Sequence, residues 1–359
     1  MVKPPEYVAC IQPYVPGKPV EELERELGIT GSIKLASNEN PVGPSPCALE
    51  ALKDRGMNLH RYPDGSGHYL TKALAERLSV SQEHIILGNG SNELLDVVVR
   101  TFMRPGDEAV MGHPSFVVYY LAVQALGARS IQVPLKHFTH DLEAMAKAVT
   151  PKTRIVFIAN PNNPTGTMNN RKDFDRMMER LPDGVLVVMD EAYYEYVDDP
   201  GYADSMKWFR QGKDILILRT FSKIYGLAGL RIGYGIAKSG IISEMNKLRP
   251  PFNTNTLAQA AALGALNDTG HVEKSRAVNA EGKEYLYREF GRLGREYVPT
   301  EANFIYMPVE NSATLYDGLL RLGVIVRPMG PGAIRVTIGL PEENRRFVEA
   351  LEQVVRSKK

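Results

Sequence analysis

The chain has 359 residues, 24% of them charged and 43% hydrophobic, with a formal net charge of +1. That length suits one large α/β domain with a smaller one, and the composition is ordinary for a globular protein. The small net charge provides no field to draw nucleic acid or an anionic membrane, and two cysteines, Cys10 and Cys47, exclude a disulfide framework or thiolate metal centre. The start lacks an apolar signal core and no apolar run reaches the ~20 residues of a membrane helix. A cytoplasmic protein with no metal site is expected.

In chain order, residues 1–37 hold a Pro-rich arm, Gln12-Pro-Tyr14-Val-Pro-Gly-Lys18-Pro, a short helix over Val20–Leu27 stopped by Gly28, and a candidate strand over Ile33–Ala36. The run Ser37-Asn38-Glu39-Asn40-Pro41 through Pro46 is predicted irregular, because its prolines remove donors and fix φ. Ser45-Pro46 then opens a helix. From about residue 66 helices and strands alternate. Helices over Tyr69–Leu78, Asn92–Phe102, Val117–Leu126, Leu142–Ala148 and Arg171–Arg180 each precede a strand, these being His84–Leu87, Ala109–Met111, Ser130–Val133, Arg154–Ala159 and Val185–Met189. Strands Ile215–Leu218 and Ile232–Ala237 follow. Such alternation implies crossover units, a mainly parallel sheet and helices on both faces.

After Arg249-Pro-Pro-Phe-Asn the pattern changes to long helices (Leu257–Leu266, Val272–Leu293), strand Asn303–Met307, helix Ala313–Leu322, strands Val324–Val326 and Ile334–Ile338, and helix Glu342–Val355. This segregation suggests α+β. The division expected is a large domain over residues 38–250, with residues 1–37 and 251–359 forming the arm and small domain.

Four constellations carry candidate chemistry. Lys223 follows the apolar run Ile215–Leu218 and a Thr/Ser turn, at the carboxyl end of a buried strand, where open α/β sheets bind ligands. Gly88-Asn-Gly90-Ser91-Asn92-Glu93 follows a strand and opens a helix, an arrangement that binds anions, although Glu93 replaces the third glycine of a dinucleotide fingerprint and an ordinary helix start explains it equally. Asn160-Pro-Asn162-Asn163-Pro-Thr165-Gly166 forces a rigid turn at another strand's end and could point an asparagine into the crevice. Asp190 ends the run Val185–Met189, where a carboxylate needs a cation or donor unless it is simply a helix cap. A lysine for covalent attachment, an acid for a pyridine nitrogen and a phosphate-binding turn are the needs of pyridoxal 5'-phosphate (PLP).

These motifs, with His60-Arg-Tyr62-Pro-Asp64, Arg219-Thr-Phe-Ser-Lys-Ile-Tyr-Gly-Leu-Ala-Gly-Leu-Arg231 and Ala333-Ile-Arg-Val-Thr-Ile-Gly339, resemble the fold-type-I PLP-dependent aminotransferases over nearly the whole chain. Within that family the terminal motifs resemble the histidinol-phosphate aminotransferase subfamily. The resemblance implies an aspartate aminotransferase-like fold, a mainly parallel seven-stranded sheet with helices on both faces plus a smaller α+β domain. It implies that Lys223 binds the cofactor covalently and moves a proton, Asp190 holds the pyridinium, Asn162 and Tyr193 bond the ring's 3-oxygen, and Phe116 stacks on the ring. Ser91, Asn92, Ser222 and Arg231 would hold the phosphate, joined by Tyr62 from a neighbouring subunit, which implies a homodimer. Arg335 would clamp a substrate carboxylate, Tyr14 and Arg327 a substrate phosphate, and Asn38 would also contact substrate. The implied reaction is transamination between histidinol phosphate/2-oxoglutarate and imidazole-acetol phosphate/glutamate. An aromatic amino acid aminotransferase, a threonine-phosphate decarboxylase and a non-catalytic PLP-binding module are the alternatives.

Overall fold

Side chains on successive strand residues point to opposite faces, so a strand apolar at every position needs cover on both sides. The computed structural model, which describes residues 2–53 and 59–356, shows this for the run after Asp214. Ile215 and Ile217 pack into one core, and Leu216 and Leu218 into another on the opposite face. Val156 and Ile158 divide from Ile155, Phe157 and Ala159 in the same way. Each such fully buried aliphatic side chain contributes roughly 1.5–3 kcal/mol.

The strands in chain order are β1 (Ile33–Lys34), β2 (Ile85–Gly88), β3 (Glu108–His113) and β4 (Arg129–Pro134). Next come β5 (Thr153–Ala159), β6 (Leu186–Asp190), β7 (Ile215–Thr220) and β8 (Gly233–Ile236). The last four are β9 (Phe304–Pro308), β10 (Val324–Ile325), β11 (Arg327–Pro328) and β12 (Ala333–Thr337). A seven-stranded sheet runs in the order β2-β8-β7-β6-β5-β3-β4. It is parallel from β7 to β4, and β8 lies antiparallel to both β7 and β2. The β7–β8 connection, residues 221–232, contains no crossover helix, so the chain reverses directly beside the strand it leaves. Strands β11-β12-β9 form an antiparallel sheet, and β1 pairs with β10 in parallel. Their core joins Leu286 and Phe290 of helix Thr269–Arg292 to Ile305, Met307, Ile334, Val336 and Phe347.

Helices Val20–Leu27 and Arg171–Arg180 occupy the ranges read from the sequence, and most other elements shift by one to three residues at an end. Helices Ser205–Arg210 and Ser239–Leu248 were not legible; the second begins after Lys238 with no side-chain cap, and its Ser-Gly start reads as a turn. The expected strand over Val324–Val326 is observed as β10, one residue shorter, and β11, which the sequence did not disclose, follows it and pairs with a different partner.

The β7–β8 connection is fixed by Gly226, in the left-handed region at φ 69°. A Cβ there would strike the Gly43 carbonyl and come 2.9 Å from Pro44 Cα. Gly226→Ala therefore combines a left-handed penalty with a backbone collision and should cost at least ~2 kcal/mol in urea unfolding; an unchanged midpoint contradicts this reading.

Candidate active site

The carboxyl ends of β2, β3, β5, β6 and β7 open on one rim, and the loops leaving them enclose a cavity of about 280 Å³. Lys223, Asp190, Tyr193, Phe116, Ser91, Asn92, Ser222, Arg231, Asn38, Tyr14, Arg327 and Arg335 all line it. Asn162 and Tyr62 do not.

Asp190 ends β6 only 5% exposed. Its Oδ2 accepts from the Tyr119 hydroxyl at 2.7 Å and its Oδ1 from the Ala192 amide at 3.1 Å. Burial pushes its pKa up, while those two donors and the charge of Lys223 pull it down and neighbouring Glu191 adds to the rise. Tyr119, which lines the same cavity, is a candidate site residue the sequence did not disclose. It sits in helix Val117–Ala125, stacks on Phe157 at 4.9 Å, and reads as one more core aromatic. Its partner lies 71 residues away, so no local signal reveals it.

Lys223 Nζ donates to the Ser37 carbonyl at 3.3 Å and lies 5.6 Å from the Tyr193 ring centre. Burial lowers its pKa to about 8, and the positive charges of Arg335 and Arg231 press the same way against Glu39 and Asp190. Tyr193, 4% exposed, packs edge-on against Phe304, and its oxygen accepts from Asn38 Nδ2 at 2.8 Å.

The asparagine assigned from the sequence requires correction. Asn162 is committed to its own turn: Oδ1 accepts from the Ser115 hydroxyl at 2.9 Å, and Nδ2 donates to the Pro114 carbonyl and Thr165 Oγ1. Asn163, the next residue, points the other way, lines the cavity and accepts from Arg335 at 2.5 Å.

The end of the cavity at the start of helix Ser91–Phe102 is built to hold an anion. That helix has no side-chain cap, which leaves its first N–H groups to a ligand. Gly90 has φ 71°, and a Cβ there would come 2.7 Å from the Arg231 guanidinium. Glycine thus lets Arg231 lie against the turn, where it also reaches Ser222 at 3.5 Å and the Ala228 carbonyl at 3.2 Å.

At the opposite end Arg335 of β12 is 8% exposed, donates to the Ala36 carbonyl at 2.8 Å, and has an Nε without a partner. Burial pulls its pKa down. Arg327 stands directly opposite it across the β11–β12 ladder, with Tyr14 under its guanidinium at 5.3 Å and the Val15 carbonyl at 2.7 Å. Like charges facing across a ladder are unfavourable until an anion joins them. Among the described residues none of Asp190, Lys223, Arg231 or Arg335 forms an ion pair within 4 Å, whereas the neighbouring Arg219–Glu191 pair closes at 2.8 Å.

Tyr62 is 81% exposed, stacked on Phe252 at 4.7 Å and away from this cavity.

These groups fit PLP. The open helix start with Arg231 suits its phosphate, buried Asp190 its pyridine nitrogen, and Lys223 its aldehyde.

Two outcomes follow from this geometry. The apoprotein's rate of capturing PLP should rise as Lys223 loses its proton, half-maximal near pH 8 rather than near the ordinary lysine value of 10.5, as followed by stopped-flow absorbance. Continued steep rise above pH 9.5 contradicts the shift. Tyr119→Phe removes one donor to the Asp190 carboxylate, worth about 1.5–3 kcal/mol, and should weaken PLP binding roughly 10- to 100-fold in equilibrium dialysis.

The model of the family "Aminotransferase class I and II" matches residues 30–351. The chain is 51% identical to histidinol-phosphate aminotransferase of Moorella thermoacetica over 98% of its own length and 92% of the relative's. It is 50% identical to histidinol-phosphate aminotransferase 1 of Nitrosococcus oceani over 97% and 95% of the two lengths. The crystal structure of histidinol-phosphate aminotransferase from Sinorhizobium meliloti in complex with pyridoxal-5'-phosphate superposes with a TM-score of 0.92 at 28% identity, covering 100% and 99% of the two chains. A Thermus thermophilus aspartate aminotransferase variant superposes with a TM-score of 0.83 at 23% identity over 99% and 100%, which shows the shared fold. The chain therefore belongs to the class I and II aminotransferase family, with the aspartate aminotransferase fold.

Proposed function

We propose that this chain is a PLP-dependent histidinol-phosphate transaminase. It exchanges the amino group between histidinol phosphate/2-oxoglutarate and imidazole-acetol phosphate/glutamate, in histidine biosynthesis. The observation that carries the reading is the opposed pair Arg335 and Arg327, one guanidinium buried and, among the described residues, free of carboxylate partners, the other half-buried at the mouth of the same cavity. Glutamate brings a carboxylate to that end of the cavity and histidinol phosphate brings a phosphate. Phenylalanine offers a singly charged carboxylate, whereas the phosphate of histidinol phosphate, its one anionic group, carries more charge on three terminal oxygens and can meet both guanidiniums together, which favours the phosphate-bearing substrate over the aromatic alternative.

PLP, when bound, supplies an electron-withdrawing ring that stabilises negative charge developing at the substrate's Cα. The chain's own groups do the rest. Asp190, held by Tyr119 and the Ala192 amide, keeps a negative charge for the ring nitrogen. Asn163 and Tyr193 serve the ring's 3-oxygen, and Phe116 covers a ring face. Ser91, Asn92, Ser222 and Arg231 hold the phosphate. Lys223 Nζ, with its lowered pKa, accepts the proton leaving Cα. Arg335, already bonded to Asn163, holds the carboxylate in a planar fork that lysine does not offer.

The proposal includes a homodimer in which Tyr62 reaches the second protomer's phosphate site. Supporting it, Leu49, Tyr62, Tyr69 and Phe252 keep large apolar surfaces exposed. A cytoplasmic location is also proposed, in keeping with two exposed free thiols at Cys10 and Cys47.

The test is kcat/KM of the PLP-loaded enzyme with histidinol phosphate, phenylalanine and threonine phosphate as amino donors. Histidinol phosphate should lead phenylalanine by at least roughly 100-fold, and threonine phosphate should release no carbon dioxide. Arg327→Ala should lower the histidinol phosphate value roughly 10- to 100-fold, the 1.5–3 kcal/mol of a charged hydrogen bond, and leave phenylalanine nearly unchanged. A lead for phenylalanine in the unaltered enzyme sinks the assignment.

A further inference from the structure

Asn38, expected to touch substrate, lines the cavity, and its side chain is bonded to Thr337 and Tyr193. It is 1% exposed and sits at φ 56°, a left-handed conformation that asparagine tolerates better than most residues. Four bonds hold it there. Its amide nitrogen donates to Thr337 Oγ1 at 3.0 Å, and its Oδ1 accepts from that hydroxyl at 3.3 Å. Its carbonyl accepts from Asn303 Nδ2 at 3.1 Å. The remaining donor, Nδ2, goes to the Tyr193 oxygen at 2.8 Å. Thr337 ends β12 and Asn303 immediately precedes β9, so the strands that carry Arg335 also fix the amide aimed at the phenol.

We propose that Asn38 is a positioning residue that acts on the cofactor through Tyr193, making its hydroxyl a stronger donor, rather than a residue that binds substrate. The inference rests on the PLP reading of the site. A donor into the phenol oxygen polarises the O–H outward, and hydrogen bonds in such a chain strengthen one another. A stronger bond from that hydroxyl to the ring's 3-oxygen stabilises negative charge on that oxygen. The Lys223 nitrogen, once joined to the cofactor, then gives up its proton at lower pH. The charged and titratable groups around Tyr193 are Arg335 from β12, Asp190 from β6, Lys223 from the turn after β7, Tyr14 from the arm, and the phenols of Tyr119 and Tyr196. Of these Asp190 and Tyr14 oppose ionisation of the phenol and Arg335 favours it; Asn38 favours it too, against the larger effect of burial, which leaves the phenol at about 12.

Two substitutions separate the amide from the backbone it sits on. Asn38→Gly keeps the left-handed conformation without strain and deletes the donor. Asn38→Asp keeps the shape and puts an acceptor where the donor was. The measurement is the midpoint pH of the visible absorbance of PLP bound through Lys223, in the loaded enzyme without substrate. Both variants should move that midpoint upward, Asn38→Gly by about half a pH unit and Asn38→Asp by more. On a Tyr193→Phe background the Asn38→Gly shift should vanish, because coupled residues are non-additive. Thermal melting of each loaded variant guards against a general loss of structure. A midpoint that stays put in folded Asn38→Gly while KM rises overturns the inference and restores direct substrate binding. A full shift surviving on the Tyr193→Phe background overturns it as well. If the unaltered protein shows no visible band with PLP, the reading of the site itself fails, a distinct result.

Discussion

The structure depends on an imbalance of charge in a place with little water. Arg231, Arg335 and Lys223 line one cavity with Asp190 as the facing carboxylate, and Arg327 stands opposite Arg335 at its mouth. Removing such groups from water costs several kcal/mol each unless they are paired. Lys223 meets the cost in part by holding its proton more loosely. Guanidinium groups have no such escape at neutral pH, so the cavity is a standing receptor for anions at both ends. An anionic group at each end would bring the charges toward balance.

Holding that arrangement requires the two sheets to be tied together, and one irregular segment does so. From Leu35 to Asn40 the chain bonds in turn to nearly every working group. The Leu35 amide and carbonyl join Ile325 and Thr337, the Ala36 carbonyl takes Arg335, and the Ser37 carbonyl takes Lys223. Asn38 Nδ2 donates to the Tyr193 oxygen, and Asn40 donates to the Ile224 carbonyl beside the lysine. Residues whose backbone serves other partners cannot also form a ladder, which explains why a stretch rich in Asn and Pro crosses the site. A shift of β12 relative to the large sheet is therefore felt at the lysine and the phenol together.

Much of this was legible in the sequence because period and punctuation report on burial. The apolar runs ending at Asp190 and before Lys223 could only be strands covered on both faces, and a parallel sheet places their carboxyl ends on one rim. The Gly88–Asn92 turn allowed an anion site and an ordinary helix start equally, and the sequence did not choose between them. Illegible were the features set by direction within a turn or by contact across the fold. Asn162 and Asn163 are one residue apart and chemically identical, and only the hydrogen bonds to Ser115 and Thr165 decide which of them faces inward. Tyr119 was hidden by an apolar helix, and Asn38 had its partner hidden 155 positions away.

Asp190 and Glu191 show how a fold converts adjacent, similar residues into different instruments. Alternation along the strand end sends the first carboxylate into the cavity and the second to the other side. There Glu191 meets Arg219 in a bond pair at 2.8 Å, with the Ser205 hydroxyl donating to its other oxygen and Arg219 lying 4.0 Å over the Tyr194 ring. Such a buried pair is closed: its charges are neutralised, its lone pairs occupied, and removing either partner would strand the other. Asp190 receives donors from a phenol and an amide but no cation within pairing distance among the described residues. Its carboxylate is held in place by those donors with no opposite charge to cancel it. Unsatisfied charge, more than the identity of the residue, is what distinguishes Asp190 from its closed neighbour Glu191.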